Sequence, residues 1–180
     1  ETREANVEGE GAVGMRELVA IALRRRPDRI IVGECRGAEA YDMLQAMQTD
    51  HPGSMTPVHA NDPGNAISRL RTMVGYADGD LNREVIMQQI AESLCGGLVV
   101  HVERLQDGSR RVTSIVAVDP LPEGGTVIPR AELFAFDVEG VDDGGRVMGA
   151  GRARGIQPQH IKGRMRAAGV WYDPEWFFST

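Results

Sequence analysis

An apolar run that ends in a carboxylate is the first feature of this sequence with catalytic potential. Residues 30–33 read Ile-Ile-Val-Gly, and Glu34 follows them directly. If the run is a buried strand, Glu34 lies at the carboxyl edge of a sheet, where open α/β sheets bind their ligands. In nucleotide hydrolases an acid placed in this way, the Walker B arrangement, positions Mg²⁺ or the attacking water. Many buried strands also end in a surface acid, so the pattern alone leaves a purely structural role open.

Two histidines and an arginine are the next candidates, because they flank the same region of the chain. His51 and His59 lie on either side of a second strand-like run. Histidine can donate a hydrogen bond to phosphate, sense charge or bind a metal. A surface His51 and a hydrogen-bonded core His59 would be the structural alternative. Arg36 could bridge a carboxylate or a phosphate with two hydrogen bonds, or could pair with a nearby acid such as Glu39.

Other site chemistries are disfavoured by residue type and spacing. Cys35 and Cys95 form no Cys-x-x-Cys pair and have no paired histidines at ligand spacing, so we expect no metal cluster. Cys35 is better interpreted as a small buried hydrophobe. Lys162 is the only lysine and is followed by glycine, so these 180 residues contain no Gly-x-x-x-x-Gly-Lys-Ser/Thr phosphate loop.

The composition is that of an ordinary globular protein. The 180 residues carry a net charge of −6, with 42% hydrophobic and 26% charged residues. The acidic balance argues against general nucleic-acid binding, which depends on clustered cations. No apolar run approaches the roughly 20 residues that a membrane-spanning helix needs.

Helices and strands are predicted to alternate in the first half of the chain. Apolar residues recur at helical spacing from Met15 to Leu23, and Pro27 ends that segment. Asp62 and Pro63 are typical of a helix start. The predicted helices cover 15–26, 40–47, 63–74 and 81–94, and the predicted strands cover 29–34 and 53–59. Pro57 weakens the second strand, but the alternation predicts an α/β fold with a mostly parallel sheet.

The second half of the chain is predicted to consist mainly of β-strands. Strand-like runs at 98–105 and 111–118 are joined across Asp107-Gly108, which predicts a β-hairpin. A further strand is expected at 133–138, a turn at 142–145 and a helix at 159–168. The aromatic tail could be a docking patch or, more economically, a segment that covers the fold; its members are Trp171, Tyr172, Trp176, Phe177 and Phe178.

Taken in order, these segments resemble the type II/IV secretion ATPases, and most closely the CpaF/TadA branch that assembles tight-adherence (Flp) pili. The resemblance extends over nearly the whole chain. Its carriers are residues 14–19 (GMRELV), 26–37 (RPDRIIVGECRG), 43–47 (MLQAM), 53–56 (GSMT), 58–61 (VHAN), 107–113 (DGSRRVT) and 155–158 (GIQP).

The resemblance implies a fold, a cofactor set and a site. The fold would be the C-terminal half of a RecA-like P-loop NTPase core, with a β-hairpin and a small C-terminal extension. ATP and Mg²⁺ would be the cofactors. Glu34 and His59 would be catalytic, and Glu34 would also act on the metal. The nucleotide-binding residues would be Ile31, Val32, Gly33, Arg36 and His51, with both histidines belonging to the family's His box.

The resemblance also implies an assembly. The family works as a homo-hexamer, formed through the ATPase core, on the cytoplasmic face of the inner membrane. There it drives a membrane platform protein, with no nucleic-acid partner. The expected segments are 1–97 for the half core, 98–119 for the hairpin and 120–180 for the C-terminal subdomain.

Three departures from the family pattern shape the expectation for activity. The family's Walker A loop and Asp box lie upstream of the part that matches Glu1, so we expect this chain to be a fragment that is inactive alone. Asp50 stands where the His box has glycine, and Pro57 stands where threonine is common. The alternative is a degenerate, non-catalytic subunit or interaction module of a secretion ATPase ring.

Overall fold

The computed structural model describes residues 2–3, 11–49, 51–77 and 82–178. The chain divides into two compact units, residues 1–93 and 94–180. The sequence-based boundaries at 97/98 and 119/120 stay predictions. No helix among the described residues is both long enough and apolar enough to span a bilayer.

The first unit contains the helices that hydrophobic spacing predicts. They are α1 (Met15–Arg24), α2 (Glu39–Gln48), α3 (Pro63–Gly75) and α4 (Arg83–Leu94). Leu81, the predicted start of α4, lies outside the described residues, as does Asp50. Asp62 caps α3 by accepting a hydrogen bond from the backbone N–H of Asn65, and Pro63 occupies the first turn, as predicted. The helices bury Leu44, Val74 and Ile90 completely.

The prediction of a mostly parallel sheet is not confirmed for the described residues, because their four named strands form an antiparallel sheet. The predicted strands at 29–34 and 53–59 are instead a short pair of extended segments, joined by one parallel bridge between Ile31 and Met55. Pro57 has no N–H to extend the ladder. Ile31 and Met55 are 70% and 55% exposed, so one face of the pair is not buried as a parallel sheet requires.

The second unit is built on that antiparallel sheet. Its strands run in chain order as β1 (Leu98–Arg104), β2 (Arg110–Val118), β3 (Arg130–Val141) and β4 (Val147–Ala153). The β1–β2 hairpin and the turn at 142–145 confirm the predictions. β3 is longer than predicted, and β4 was not predicted, because its small residues carry little strand signal of their own.

The aromatic tail partly covers this sheet. After helix α5 (Gln159–Ala167), a short 3-10 helix (Pro174–Phe177) places Phe177 in a buried cluster with Ala117 and Leu133. The covering role is therefore confirmed for Phe177. Trp171, Trp176 and Phe178 stay exposed.

Candidate functional site

Glu34 lies at the carboxyl end of the first extended segment. Backbone hydrogen bonds join this segment to the second one: Val32 donates to Met55 over 3.0 Å, and Cys35 donates to Pro57 over 3.4 Å. These bonds on either side of Glu34 fix the backbone from which its side chain projects. Glu34 therefore ends an extended segment, but the sheet at whose edge the sequence predicts this carboxylate is reduced to that pair of segments.

The structure brings Glu34, Arg36 and His59 together. Nη2 of Arg36 lies 2.6 Å from Oε2 of Glu34, and Nε2 of His59 lies 3.0 Å from Oε1. The Arg36 guanidinium, followed by the nearby His59, holds the pKa of Glu34 below its ordinary value. Glu34 is thus an ionised carboxylate at neutral pH, with the Arg36 guanidinium at one oxygen and the His59 imidazole at the other.

Glu39 holds the loop that carries Arg36. Its Oε1 accepts hydrogen bonds from the backbone N–H groups of Arg36 (2.7 Å) and Gly37 (2.9 Å) at the start of α2. The sequence left open a side-chain pair between Arg36 and Glu39. The structure instead directs the Arg36 side chain to Glu34 and uses Glu39 as a backbone cap.

The environments of the two histidines are the reverse of those expected for a surface His51 and a core His59. His51 is buried, whereas the His59 side chain is 82% exposed. Nδ1 of His51 lies 2.6 Å from the carbonyl oxygen of Pro27. Because a carbonyl can only accept, Nδ1 carries the proton and donates. His51 therefore anchors the beginning of the first extended segment, and His59 meets Glu34 at its end.

Ser54 is a structural link that sequence reasoning missed. Its hydroxyl accepts a hydrogen bond from the backbone N–H of Ile30 (2.9 Å) and donates to the carbonyl of His51 (2.8 Å). One side chain thus ties the segment that ends in Glu34 to the loop that carries His51. The sequence indicated this link only through a hydroxyl residue directly after a glycine. In the structure that glycine, Gly53, has a positive φ of 81°.

The residues between Ile30 and Glu34 alternate in burial. Val32 is buried, whereas Ile31 and Gly33 are exposed, so the segment is half-buried rather than fully buried as predicted. Cys35 is 2% exposed, and burial raises the pKa of its thiol to about 12. The neutral, buried thiol confirms the prediction that Cys35 acts as a small hydrophobe.

An open groove of about 720 Å³ lies beside the Glu34 cluster, in the same unit. Its polar lining includes Arg36 and His59 together with four side chains from α3 and the loop before it, Asn61, Asn65, Arg69 and Arg71. Arg69 and Arg71 were not predicted as site residues, although an Arg-x-Arg pair follows the predicted helix start at Asp62. Three arginines and a histidine make this groove suited to an anionic ligand.

The chain matches a known protein family. A sequence model of the family described as type II/IV secretion system protein matches residues 1–120. The chain belongs to this family. The CpaF/TadA branch is not distinguished by that match, so membership of the branch stays a proposal.

Named relatives of this secretion family member lie in conjugation and type IV secretion. A conjugal transfer protein of Mycobacterium tuberculosis is 45% identical over 116 residues, which is 64% of this chain and 32% of that protein. The conjugal transfer protein TrbB of Rhizobium radiobacter is 37% identical over 59% of this chain and 31% of its own length. The chain therefore spans about a third of the length of the curated relatives it matches.

A solved structure of a secretion ATPase is also similar. It is the VirB11 ATPase from the Brucella suis type IV secretion system, crystallised in complex with sulphate. The similarity has a TM-score of 0.52 and 32% sequence identity, over 57% of this chain and 31% of that one. The α/β fold of this family member thus has a secretion ATPase as its structural neighbour.

Proposed function

We propose that this chain is part of an ATPase that powers type II/IV protein secretion or the assembly of type IV or Flp pili. The observation that carries the proposal is the ionised Glu34 carboxylate at the end of a parallel-bridged segment, flanked at 2.6 Å and 3.0 Å by Arg36 and His59. An acid at this position suits the hydrolysis of a phosphoanhydride, in which an attacking water must be oriented.

The residues present fit one end of a MgATP site. An ionised carboxylate is the hard oxygen ligand that Mg²⁺ and its waters prefer, and the arginine-lined groove beside it suits phosphate. Glu34 would hold the metal's water shell and orient the attacking water. The bound nucleotide would supply the phosphoanhydride. A phosphate-cradling loop is not among these 180 residues, so the residues present supply only part of the nucleotide's ligands.

Each neighbouring residue has a role in this proposal. His59 lies where it can respond to the charge on Glu34 and on a phosphate, and would report that charge to an adjacent subunit. Arg36 would keep Glu34 ionised and support the subunit interface. His51 would fix the segment from its other end, and residues Ile31 to Gly33 would form the strand beneath the nucleotide.

The proposed assembly follows from family membership and stays a proposal in every part. The unit that contains Glu34 would complete a RecA-like core and join a homo-hexamer through residues 1–97. Residues 98–119 would be the hairpin that completes the core, and residues 120–180 would be a C-terminal subdomain. The hexamer would act at the cytoplasmic face of the inner membrane on a membrane platform protein, in the manner of the CpaF/TadA branch.

The test is Glu34→Gln in the longer protein that carries this segment with a phosphate-binding loop. We expect ATP turnover to fall by about 100-fold or more, because the neutral amide cannot accept a proton from the attacking water or supply the negative charge of the carboxylate. Glu17→Gln, on the exposed side of α1, is the matched control and leaves turnover unchanged. The 180-residue chain alone should show no MgATP hydrolysis. Unchanged turnover in Glu34→Gln, or robust turnover by the 180-residue chain, would overturn these assignments.

A non-catalytic subunit is the second candidate. The observation that favours it is that Arg36 and His59 already pair with the two oxygens of Glu34, at 2.6 Å and 3.0 Å, as they would in a purely structural cluster. Such a subunit would keep the Glu34 cluster as an interface and would join a ring without hydrolysing ATP. Addition of the 180-residue chain to the active hexamer distinguishes the two, because an interaction module co-assembles and alters turnover without contributing its own.

A further inference from the structure

One face of α3 forms a wall of the groove beside the Glu34 cluster. Its residues repeat at intervals of three and four, are all exposed and all line the groove; they are Asn65, Ser68, Arg69, Thr72 and Tyr76. Because an α-helix rises by 1.5 Å per residue, this wall is about 16 Å long. We call the cleft in front of it the α3 groove, defined by Arg36, His59, Asn65, Arg69, Arg71 and Tyr76.

Two arginines of the α3 groove have no acidic partner in the part of the chain that the structure describes. Arg36 is paired with Glu34, whereas neither Arg69 nor Arg71 forms an ion pair or a side-chain hydrogen bond with a described residue. Arg69 is exposed and Arg71 is half-buried. None of the described residues that line the groove is acidic. The two guanidiniums therefore leave positive charge in the groove that no described carboxylate pairs with.

The acids on the elements that adjoin the groove are engaged in other contacts. Asp62 caps α3, and its two oxygens accept hydrogen bonds from the backbone and side-chain N–H groups of Asn65. On α2, which packs against α3, Glu39 binds backbone N–H groups and Asp42 pairs with Arg16 over 2.7 Å. These carboxylates lower the local potential, but none of them contacts the two unpaired arginines. An anion from outside the described residues would meet both guanidiniums directly.

The α3 groove is continuous with Glu34 because two residues belong to both. Arg36 and His59 line the groove and also contact the oxygens of Glu34, at 2.6 Å and 3.0 Å. In ATP hydrolysis, water forms a bond to the γ-phosphorus, and the bond from that atom to the oxygen shared with the β-phosphate breaks. The products are ADP, inorganic phosphate and a proton that passes to solvent. The ionised Glu34 repels the phosphate, and the unpaired guanidiniums attract it.

We infer that the α3 groove binds inorganic phosphate, the anionic product of hydrolysis, after it leaves Glu34, with Arg69 and Arg71 as its principal ligands. This inference rests on the proposed ATPase function and gives that function a product site. Inorganic phosphate carries between one and two negative charges near neutral pH, which the two unpaired guanidiniums match. The planar guanidinium presents paired N–H donors that fit the oxygens of a phosphate.

The exposure of the groove suits a product rather than a tightly held substrate. Ion pairs in an open, solvated site are weak, so a phosphate bound by Arg69 exchanges readily with solvent. Asn65 and Thr72 add neutral hydrogen-bonding groups along the same wall. The groove thus combines charge that draws phosphate away from Glu34 with an open side through which phosphate can leave.

Binding of inorganic phosphate to the 180-residue chain tests the site without ATP. We expect a Kd of about 1 mM near neutral pH in about 0.15 M sodium chloride. Phosphate should shift the guanidinium NMR signals of Arg69 and Arg71. The signal of Arg25, an exposed arginine of the same unit that does not line the groove, should stay in place. This comparison separates the groove from a general attraction of anions to arginine.

Point variants test the two proposed ligands. Arg69→Gln and Arg71→Gln should each weaken phosphate binding at least about five-fold, because each removes a charge-assisted hydrogen bond from an open site. Glutamine is a good helix former, and Arg69 is exposed, so Arg69→Gln keeps α3 intact even if the half-buried Arg71 contributes to stability. Arg25→Gln removes the same charge outside the groove and is the matched control, with phosphate affinity unchanged.

Product inhibition tests the place of this site in the reaction. In the longer protein that carries this segment with a phosphate-binding loop, added inorganic phosphate should inhibit ATP turnover. Arg69→Gln should raise the inhibition constant for phosphate at least about five-fold relative to Arg25→Gln, with inhibition expressed as a fraction of each variant's own turnover.

Several results would overturn the inference. They are guanidinium signals that ignore phosphate, equal losses of affinity in Arg69→Gln and Arg25→Gln, and an inhibition constant that Arg69→Gln leaves unchanged. Adenosine monophosphate that binds far more tightly than phosphate, with the difference lost in Tyr76→Ser, would assign the groove to a whole nucleotide instead. Tighter binding of hexaglutamate than of phosphate would assign it to an acidic peptide.

Failure of this inference is distinguishable from failure of the proposed function. Phosphate binding to the 180-residue chain is measured without ATP, whereas the Glu34→Gln test measures turnover. A groove that ignores phosphate leaves the loss of turnover in Glu34→Gln standing. Parental turnover in Glu34→Gln would instead remove the role of Glu34 in hydrolysis, while phosphate binding by the groove stays measurable.

Discussion

Nε2 of His59 lies 3.0 Å from Oε1 of Glu34, although the two residues belong to different extended segments. The parallel bridge between Ile31 and Met55 sets the register of these segments and so brings the ring to the carboxylate. Glu34 thereby acquires a partner at each oxygen, since Arg36 occupies the other. The charge state of Glu34 is the property of this site that experiments can most directly alter.

Removal of Arg36 should raise the pKa of Glu34. The Arg36 guanidinium is the largest cause of the lowered pKa of this carboxyl, so Arg36→Gln should return the pKa toward its ordinary value of 4.5. A carboxyl-carbon NMR titration of the folded chain measures this directly. Arg24→Gln, at the exposed end of α1, is the control. An unchanged Glu34 pKa in Arg36→Gln would contradict the described ion pair.

The sign of the accompanying pH dependence is fixed by the direction of that shift. Because the pKa of Glu34 is lower in the folded protein, its stabilising contribution is complete above the unfolded value and is lost as pH falls through the folded value. In Arg36→Gln, the urea concentration at the unfolding midpoint should therefore fall less between neutral and acidic pH than it does in the parent chain. Arg24→Gln should leave it as in the parent chain.

The two histidines should respond very differently to truncation. His51→Ala should lower the free energy of unfolding by about 2 kcal/mol, because it leaves the Pro27 carbonyl without its donor and opens a cavity. His59→Ala removes an exposed ring and should change stability by less than about 0.5 kcal/mol. Urea denaturation of both variants tests this difference. Similar losses in both would show that His51 is not the buried anchor.

Ser54→Ala should destabilise the pair of extended segments. The variant removes the acceptor for the Ile30 N–H and the donor to the His51 carbonyl, at a cost of about 1–3 kcal/mol. Ser68→Ala, at an exposed position in α3, is the matched control, with a change within about 0.5 kcal/mol. If the two serine variants unfold at the same urea concentration, the Ser54 link does not stabilise the fold.

Asp107 should make the second unit sensitive to acid. Its carboxylate accepts hydrogen bonds from the Ser109 hydroxyl and N–H and, at 2.8 Å, from the Val147 N–H of β4. These bonds lower the pKa of Asp107 to about 2. The contribution of Asp107 to the stability of the fold is therefore complete above pH 3.8, the ordinary pKa of this carboxyl, and is lost as pH falls toward 2.

The Asp107→Asn variant tests that acid sensitivity. Asparagine cannot titrate, so the urea midpoint of the variant should be lower at neutral pH and flatter between pH 3.8 and 2 than that of the parent. Asp143→Asn, in the exposed 142–145 turn, serves as the control and keeps the parental slope. If the urea midpoint of Asp107→Asn depends on pH as steeply as that of the parent chain, Asp107 is not the cause of the acid sensitivity.

The helices and the hairpin could be predicted because their signals are local. The spacing of apolar residues predicted α1 to α3. Asp62 and Pro63 indicated where α3 begins, and Asp107-Gly108 indicated the hairpin turn between β1 and β2. Each of these depends on residues within a few positions of one another, so backbone geometry and capping suffice to determine them. The apolar run that ends in Glu34 located the acid of the site in the same way.

The sequence by itself thus determined the α/β pattern, the family and the acid at the end of the first extended segment. Only the tertiary structure decided which histidine is buried, since the register between two segments and the Pro27 carbonyl set the place of His51. It alone decided that the antiparallel sheet extends to a fourth strand, because β4 becomes a strand only by pairing with β3. At Gly149 a Cβ would collide with the Asp137 carbonyl, so this pairing needs a residue with little strand propensity of its own. Long-range hydrogen bonding, rather than local preference, determines these features.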